Sequence, residues 1–234
     1  MIMSELVIAE NVSRVFKMKN RCVKAVDNVS IVIKEGTFNI LCGRSGSGKT
    51  TLLNILAAID TPTEGKVFFG GKDITAVSEK CRDNIRRKDM GIVFQNTALM
   101  SNMSAVENVE FALSLAGVKA SGRRKLAISW LEKMGIRERR NHMPAEMSGG
   151  EQARVAIGRA LAHSPKLLLA DEPTSELDSA TSFTVVKLLR ELVDKEGLTV
   201  IMTTHDVNIM DIADNVYTME DGRITDVREV KESC

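Results

Sequence analysis

The sequence predicts an α/β fold, a parallel sheet core with a helical segment inserted near the middle of the chain. Three observations carry that expectation. Leu167 to Ala170 and Thr199 to Thr203 are short runs rich in apolar residues, the pattern of strands buried on both faces of a parallel sheet. The stretches beside them, Glu151 to His163 and Ser182 to Glu196, have helical character. Phe38 to Cys42 is an apolar strand that runs directly into a glycine-rich loop and then into a helical stretch.

Taken in order, Glu5 to Phe16 and Val23 to Ile33 alternate apolar and polar positions and read as strands, with a turn at Glu35–Gly36. Thr50 to Ile59 reads as a helix stopped near Thr61–Pro62 by the restriction proline places on the residue before it. Val67 to Phe69 is a further strand, turning at Gly70–Gly71. Between about residues 96 and 150 the texture becomes helical. Ser104 to Glu107 is a capping box, in which the Ser hydroxyl meets the N3 amide and the Glu carboxylate meets the cap amide. The helix it opens keeps Val106, Val109, Leu113 and Ala116 apolar and stops at Gly117. A second helix spans Ser121 to Met134, with Leu126, Trp130, Leu131 and Met134 on one face and Gly135 as its stop. Arg123, Arg124 and Lys125 on it read as a solvated face. In the last third, Val185, Val186, Leu189, Leu192 and Val193 line a helix ended by Gly197, and Asp221–Gly222 is a hairpin turn signal.

Composition narrows the function classes. The 234 residues carry 32 basic and 31 acidic side chains, a net charge of +1, which argues against binding nucleic acid or anionic lipid through bulk charge. Aromatics are only 4%, so the core is expected to be aliphatic and base stacking is a poor reading. Leu52 to Ile59, interrupted by Asn54, is the longest nearly continuous apolar stretch, against the ~20 residues a membrane-spanning helix needs. The N-terminus has an acid where a signal peptide would have a basic start. Cys22, Cys42, Cys81 and Cys234 lack metal-ligand spacing, and Cys42 reads as a small core residue. Cys234, as the last residue, fits no prenylation box. Reduced thiols in a cytoplasmic protein are the expectation.

Three segments carry chemistry. Gly43 to Thr50, GRSGSGKT in one-letter code, fits the phosphate-binding pattern G-x-x-x-x-G-K-[ST] between a strand and a helix. Its glycines let backbone amides converge on phosphate oxygens at the positive end of the helix, Lys49 adds a point charge, and the Thr50 hydroxyl suits Mg²⁺. Leu167 to Glu172 is an apolar strand ending in two acids. Asp171 is placed to hold the hydration shell of Mg²⁺, and Glu172, expected to face the other way by strand alternation, to polarise a water. Ser148 to Gln152 puts Ser-Gly-Gly at the start of an Ala-rich helix, a second anion cradle in the same chain. One nucleotide rarely needs two cradles from one subunit, so two copies are expected to pair head to tail.

The order of the loop, Gln95, MSGGE, LLLADEP and His205 resembles that of the ATP-binding cassette (ABC) ATPases across essentially the whole chain. The resemblance implies a P-loop NTPase fold: a RecA-like parallel core, an N-terminal antiparallel β subdomain and an inserted helical subdomain at about 96–150, all within one nucleotide-binding domain over residues 1–234. It implies ATP and Mg²⁺ as ligands and ATP hydrolysis as the activity. ATP would be held by Phe16, which stands where a tyrosine usually stacks on adenine, and by Gly43, Arg44, Ser45, Gly46, Ser47, Gly48, Lys49, Thr50 and Thr51. Thr50, Gln95 and, through water, Asp171 would hold the metal. Glu172, His205 and Gln95 would serve the reaction, His205 at the γ-phosphate. Ser148, Gly149, Gly150, Glu151 and the D-loop acid Asp178 would reach ATP across the dimer. His142 and His163 lack such placement and read as structural.

Some positions depart from the family pattern. Met147 replaces Leu, Glu151 stands where Gln is commonest, and Ser175–Glu176 replaces Gly-Asn. The segments from Asn54 to Gly65, Val93 to Gln95 and Ala170 to Thr174 are similar to the branch serving lipoprotein release, macrolide export and antimicrobial-peptide resistance. That branch implies an ATPase subunit docked on a separate integral membrane permease, on the inner face of the cell membrane. A regulatory ATPase of the cell-division type is the alternative. A nucleic-acid or ribosome ATPase would need a long coiled coil or a second cassette, and a GTPase would need an N-K-x-D motif; the sequence supplies neither.

Overall fold

The computed structural model describes residues 4–18 and 21–230; Cys234 lies outside them. Strands β1 (Glu5–Met18) and β2 (Arg21–Lys34) lead into β3 (Phe38–Cys42), helix α1 (Lys49–Leu56), β4 (Glu64–Phe69) and β5 (Lys72–Asp73). Helix α2 (Glu79–Asp89) and β6 (Met90–Val93) follow, then α3 (Ala105–Leu115), α4 (Ala120–Lys133) and α5 (Gly149–Leu161). The chain closes with β7 (Leu167–Ala170), α6 (Ser179–Glu196), β8 (Thr199–Thr204), β9 (Asn215–Glu220) and β10 (Arg223–Glu229).

The strands form two sheets. One is antiparallel, in the order β2-β1-β4-β5; the other has six strands in the order β10-β9-β3-β8-β7-β6. Within the second, β6, β7, β8, β3 and β9 run parallel and only the edge strand β10 opposes them. Period-2 alternation explains how it packs. Ile40, Leu168, Ala170, Val200 and Met202 enter one apolar cluster with the helices α3 to α6. Leu41, Leu167, Leu169 and Ile201 enter another with α1 and the antiparallel sheet. Both faces are covered, as runs without polar alternation require. Both clusters are dominated by aliphatic side chains, as the low aromatic content implies.

Three local outcomes differ from the sequence reading. The helix expected over Thr50 to Ile59 stops at Leu56, because Ala58 adopts φ +55 and the amides of Ala58 and Ile59 turn back to the carbonyls of Ile55 and Asn54. An alanine thus takes the left-handed closing position where glycine is usual, which hid the stop. Helix α2 was not anticipated because Cys81 and Ile85 are its sole apolar positions among charged residues; neither is fully buried, and Ile85 packs on the edge of the second cluster. It is fixed by its Ser78 cap and by Arg86, which donates to the Ala58 carbonyl. Helices α5 and α6 begin two and three residues earlier than expected, since Ser148 and Asp178 are their N-caps.

Candidate active site

A parallel sheet brings the carboxyl ends of its strands to one edge, the usual place for a ligand in an open α/β sheet. Four expected segments meet there: the loop after β3, Gln95 just past β6, Asp171 and Glu172 after β7, and His205 directly after β8. They border a cleft of about 580 Å³ lined by Arg44, Ser45, Gly46, Gly48, Lys49, Thr50 and Thr51 of the loop, with Ala25, Gln95, Glu172 and His205.

The loop is held from behind. The Gly222 amide, at the β9–β10 turn, donates to the Ser47 carbonyl (3.0 Å), and the Gly222 carbonyl accepts the amide of Asp27 on β2 (2.8 Å). Lys49 is almost wholly buried, and its Nζ donates to the carbonyls of Gly43 (2.9 Å) and Arg44 (3.1 Å). The Ser47 hydroxyl is buried without a hydrogen-bond partner. The Lys49 ammonium, held in a glycine-rich loop that lines the cleft, fits a phosphate group.

The acids are arranged by one residue the sequence reading missed. Thr203, fully buried on β8, accepts the Glu172 amide at Oγ1 (2.8 Å) and donates to Asp171 Oδ1 (2.7 Å). Thr50 Oγ1 donates to the same carboxylate oxygen (3.1 Å). Alternation along β7 does not separate the two acids, because β7 ends at Ala170 and Glu172 adopts φ +43. That left-handed turn re-aims Glu172 between Lys49 Nζ (3.7 Å) and His205 Nδ1 (3.4 Å). The only signal for Thr203 was a hydroxyl near the end of a buried strand two residues before His205. Thr203→Val is expected to cost about 1–3 kcal/mol in a urea unfolding series, because it strands a buried amide; Thr203→Ser is expected to recover most of that loss.

Other expected residues lie apart. Phe16, on β1, does not line the cleft, and the Arg14 guanidinium sits 4.7 Å from its ring centroid. Ser148, Gly149, Gly150 and Glu151 are absent from the cleft wall and stand at the start of α5. Glu151 Oε2 accepts the Ser148 amide (2.8 Å) and its Oε1 accepts Arg139 Nε (2.8 Å), so both oxygens are engaged within the chain. The Asp178 carboxylate caps α6, accepting the amides of Ala180 and Thr181 and the Thr181 hydroxyl. The Thr181 hydroxyl, followed by those amides, holds the Asp178 pKa below its ordinary value. His163 accepts no such position: its Nε2 lies 3.1 Å from the Met90 carbonyl, and burial lowers its pKa. Cys42 is buried in the core, while Cys22 and Cys81 are exposed thiols.

Comparison with known proteins agrees with this geometry. The family model for ABC transporters matches residues 26–175. An uncharacterized ABC transporter ATP-binding protein of Methanocaldococcus jannaschii, MJ1508, is 41% identical over 222 residues, covering 95% of this chain and 99% of that protein. The macrolide export ATP-binding/permease protein MacB of Chlorobaculum tepidum is 40% identical over 95% of this chain, which spans only 34% of MacB. Among solved structures, the ATP-binding cassette MJ0796, a dimer in a post-hydrolysis state bound to ADP and Pi, superposes with a TM-score of 0.91 at 37% identity, over 97% of this chain and 100% of that one. A phosphate-binding loop, an acid pair and a histidine gathered at one sheet edge, within a match of this reach, make the chain a member of the ABC transporter family: an ATP-binding cassette that hydrolyses ATP.

Proposed function

We propose that residues 1–234 act as one nucleotide-binding unit, the ATPase subunit of a transporter, and that two copies close head to tail over two ATP molecules. The observation that carries this reading is the separation of two anion-binding features in one chain. The loop and Glu172 border one cleft, while Ser148, Gly149 and Gly150 present the start of α5 outside it. A second copy supplies what each cleft lacks. The dimeric MJ0796 cassette supports this pairing.

In this reading the backbone of Gly43 to Thr51 and Lys49 grip the phosphates, and the ring face of Phe16 away from Arg14 receives adenine. Thr50, Gln95 and, through water, Asp171 form an all-oxygen donor set, which suits a hard cation such as Mg²⁺. The ion would offset charge on the β and γ phosphates. Glu172 accepts the proton of the attacking water and His205 holds the γ-phosphate. Glu151 and Asp178 act through the caps they make, keeping the starts of α5 and α6 in shape at the closing surface.

Among the described residues no helix is long and apolar enough to cross a membrane. We assign the membrane passage to a separate integral permease, with this subunit on the inner face of the cell membrane, on the strength of the family to which the chain belongs. The activity assigned is export or extraction of lipoprotein, peptide or antibiotic-like cargo; the MacB relative, a macrolide export ATP-binding/permease protein, supports the antibiotic-like part of that range. Affinity purification from membranes is expected to bring down an integral membrane protein, and vesicles holding the complex are expected to move cargo when given ATP. A partner that stimulates hydrolysis while no cargo moves would overturn transport in favour of a regulatory ATPase.

A further inference from the structure

Glu151 puts a negative charge beside a surface that, in the reading above, must accept a phosphate. Its Oε2 accepts the Ser148 amide at 2.8 Å, and Ser148 Oγ in turn accepts the Glu151 amide at 3.3 Å. This reciprocal cap leaves the Ser148 hydroxyl proton and the amides at the start of α5 free to donate outward. The Ser148 amide, and then the Arg139 guanidinium, keep the Glu151 carboxyl below the usual carboxylate range. The carboxylate is therefore charged at neutral pH, and its repulsion of an incoming phosphate must be offset.

Arg139 supplies the offset. It stands on a short 3-10 turn, Arg137–Arg139, between α4 and α5, and its Nε donates to Glu151 Oε1 at 2.8 Å. Its Nη1 lies 3.3 Å from His142 Nε2. The turn is anchored, since the Arg139 amide donates to the Ile136 carbonyl and the adjoining carbonyls of Arg140 and His142 accept the first amides of α3. We infer that Arg139 is a positioning residue for ATP-driven closure: it neutralises Glu151, so that Glu151 can cap α5 without repelling the γ-phosphate held by the other copy. The inference rests on the head-to-tail reading above. It ties the helical segment to the nucleotide through a charge rather than through a direct contact.

The test is ATP-dependent dimerisation of the full chain carrying Glu172→Gln, followed by sedimentation velocity with Mg-ATP. Adding Arg139→Ala is expected to weaken closure about tenfold, because each closing surface then carries one uncompensated negative charge. The deficit is expected to shrink as ionic strength rises. Adding Glu151→Gln to Arg139→Ala is expected to restore closure, since an amide oxygen still accepts the Ser148 amide without the charge. A role as a mere tether predicts instead that the Arg139→Ala, Glu151→Gln combination stays as weak as Arg139→Ala. That outcome, or closure indifferent to Arg139→Ala, overturns the inference while leaving head-to-tail closure intact. No ATP-dependent dimer from Glu172→Gln alone would overturn the closure reading, and this inference with it.

Discussion

Glu172→Gln is expected to lower ATP turnover by roughly 10²–10⁴-fold, the usual contribution of a positioned general base, while ATP binding persists. The glutamine keeps the length of the side chain and removes its proton-accepting oxygen. Its backbone also keeps the features that aim it: φ +43 and an amide held by Thr203 Oγ1 at 2.8 Å. Lys49 and His205 flank the carboxylate at 3.7 and 3.4 Å, so the group sits between the glycine-rich loop and the histidine after β8. Chemistry stops while the grip remains. On the head-to-tail closure proposed above, ATP-bound dimers are expected to accumulate. Phosphate release and gel filtration of the same sample check both halves. Parent-like turnover in Glu172→Gln would falsify the role of the carboxylate as base.

The parts of this site that were legible in the sequence are those whose chemistry lies in contiguous residues. GRSGSGKT announces itself, because a turned-in backbone needs glycines at fixed spacing and the lysine must follow at once. The strands behind it were legible because burial on both faces removes polar residues from a whole run, as in Leu167 to Ala170. What stayed hidden depends on backbone conformation or on distant partners. The sequence reading separated Asp171 from Glu172 by strand alternation, whereas the separation arises from a left-handed residue just past the strand. Nothing in the letters marks a glutamate for positive φ. Thr203 is 32 residues from Asp171, and its double role exists only once β7 and β8 lie side by side.

The acids of the two helix starts show the same limit. The sequence pattern leads one to expect Asp178 and Glu151 to reach a nucleotide across a dimer; the fold adds that, within one chain, each carboxylate also makes a helix cap. A capping box and an anion cradle share one sequence pattern, since both exploit free amides at the start of a helix. Geometry alone separates the oxygen that faces inward from the donors that face outward.

Gly48→Ala is expected to abolish tight ATP binding and to lower Tm by roughly 5–10 °C. Gly48 is the N-cap of α1 and adopts φ +102, where an L-residue is strained, and a Cβ there would lie 2.2 Å from the Ala25 carbonyl oxygen. That oxygen belongs to β2 backbone, which cannot swing aside like a side-chain tip. β2 is also locked to the loop through Gly222, which bonds both Asp27 and Ser47. Relief must therefore push the loop away from the wall of the cleft, carrying with it Lys49 and Thr50, the residues proposed to meet phosphate and metal. Gly46→Ala separates strain from collision. Gly46 also has positive φ, at +81, but an added Cβ meets no atom within 4 Å. Its cost is then the local strain alone, about 1–3 kcal/mol, with part of the ATP affinity retained. Titration of a fluorescent ATP analogue, together with thermal melts of both variants, checks the contrast. If Gly48→Ala bound ATP as tightly as Gly46→Ala, the close approach of β2 would have no part in shaping the loop.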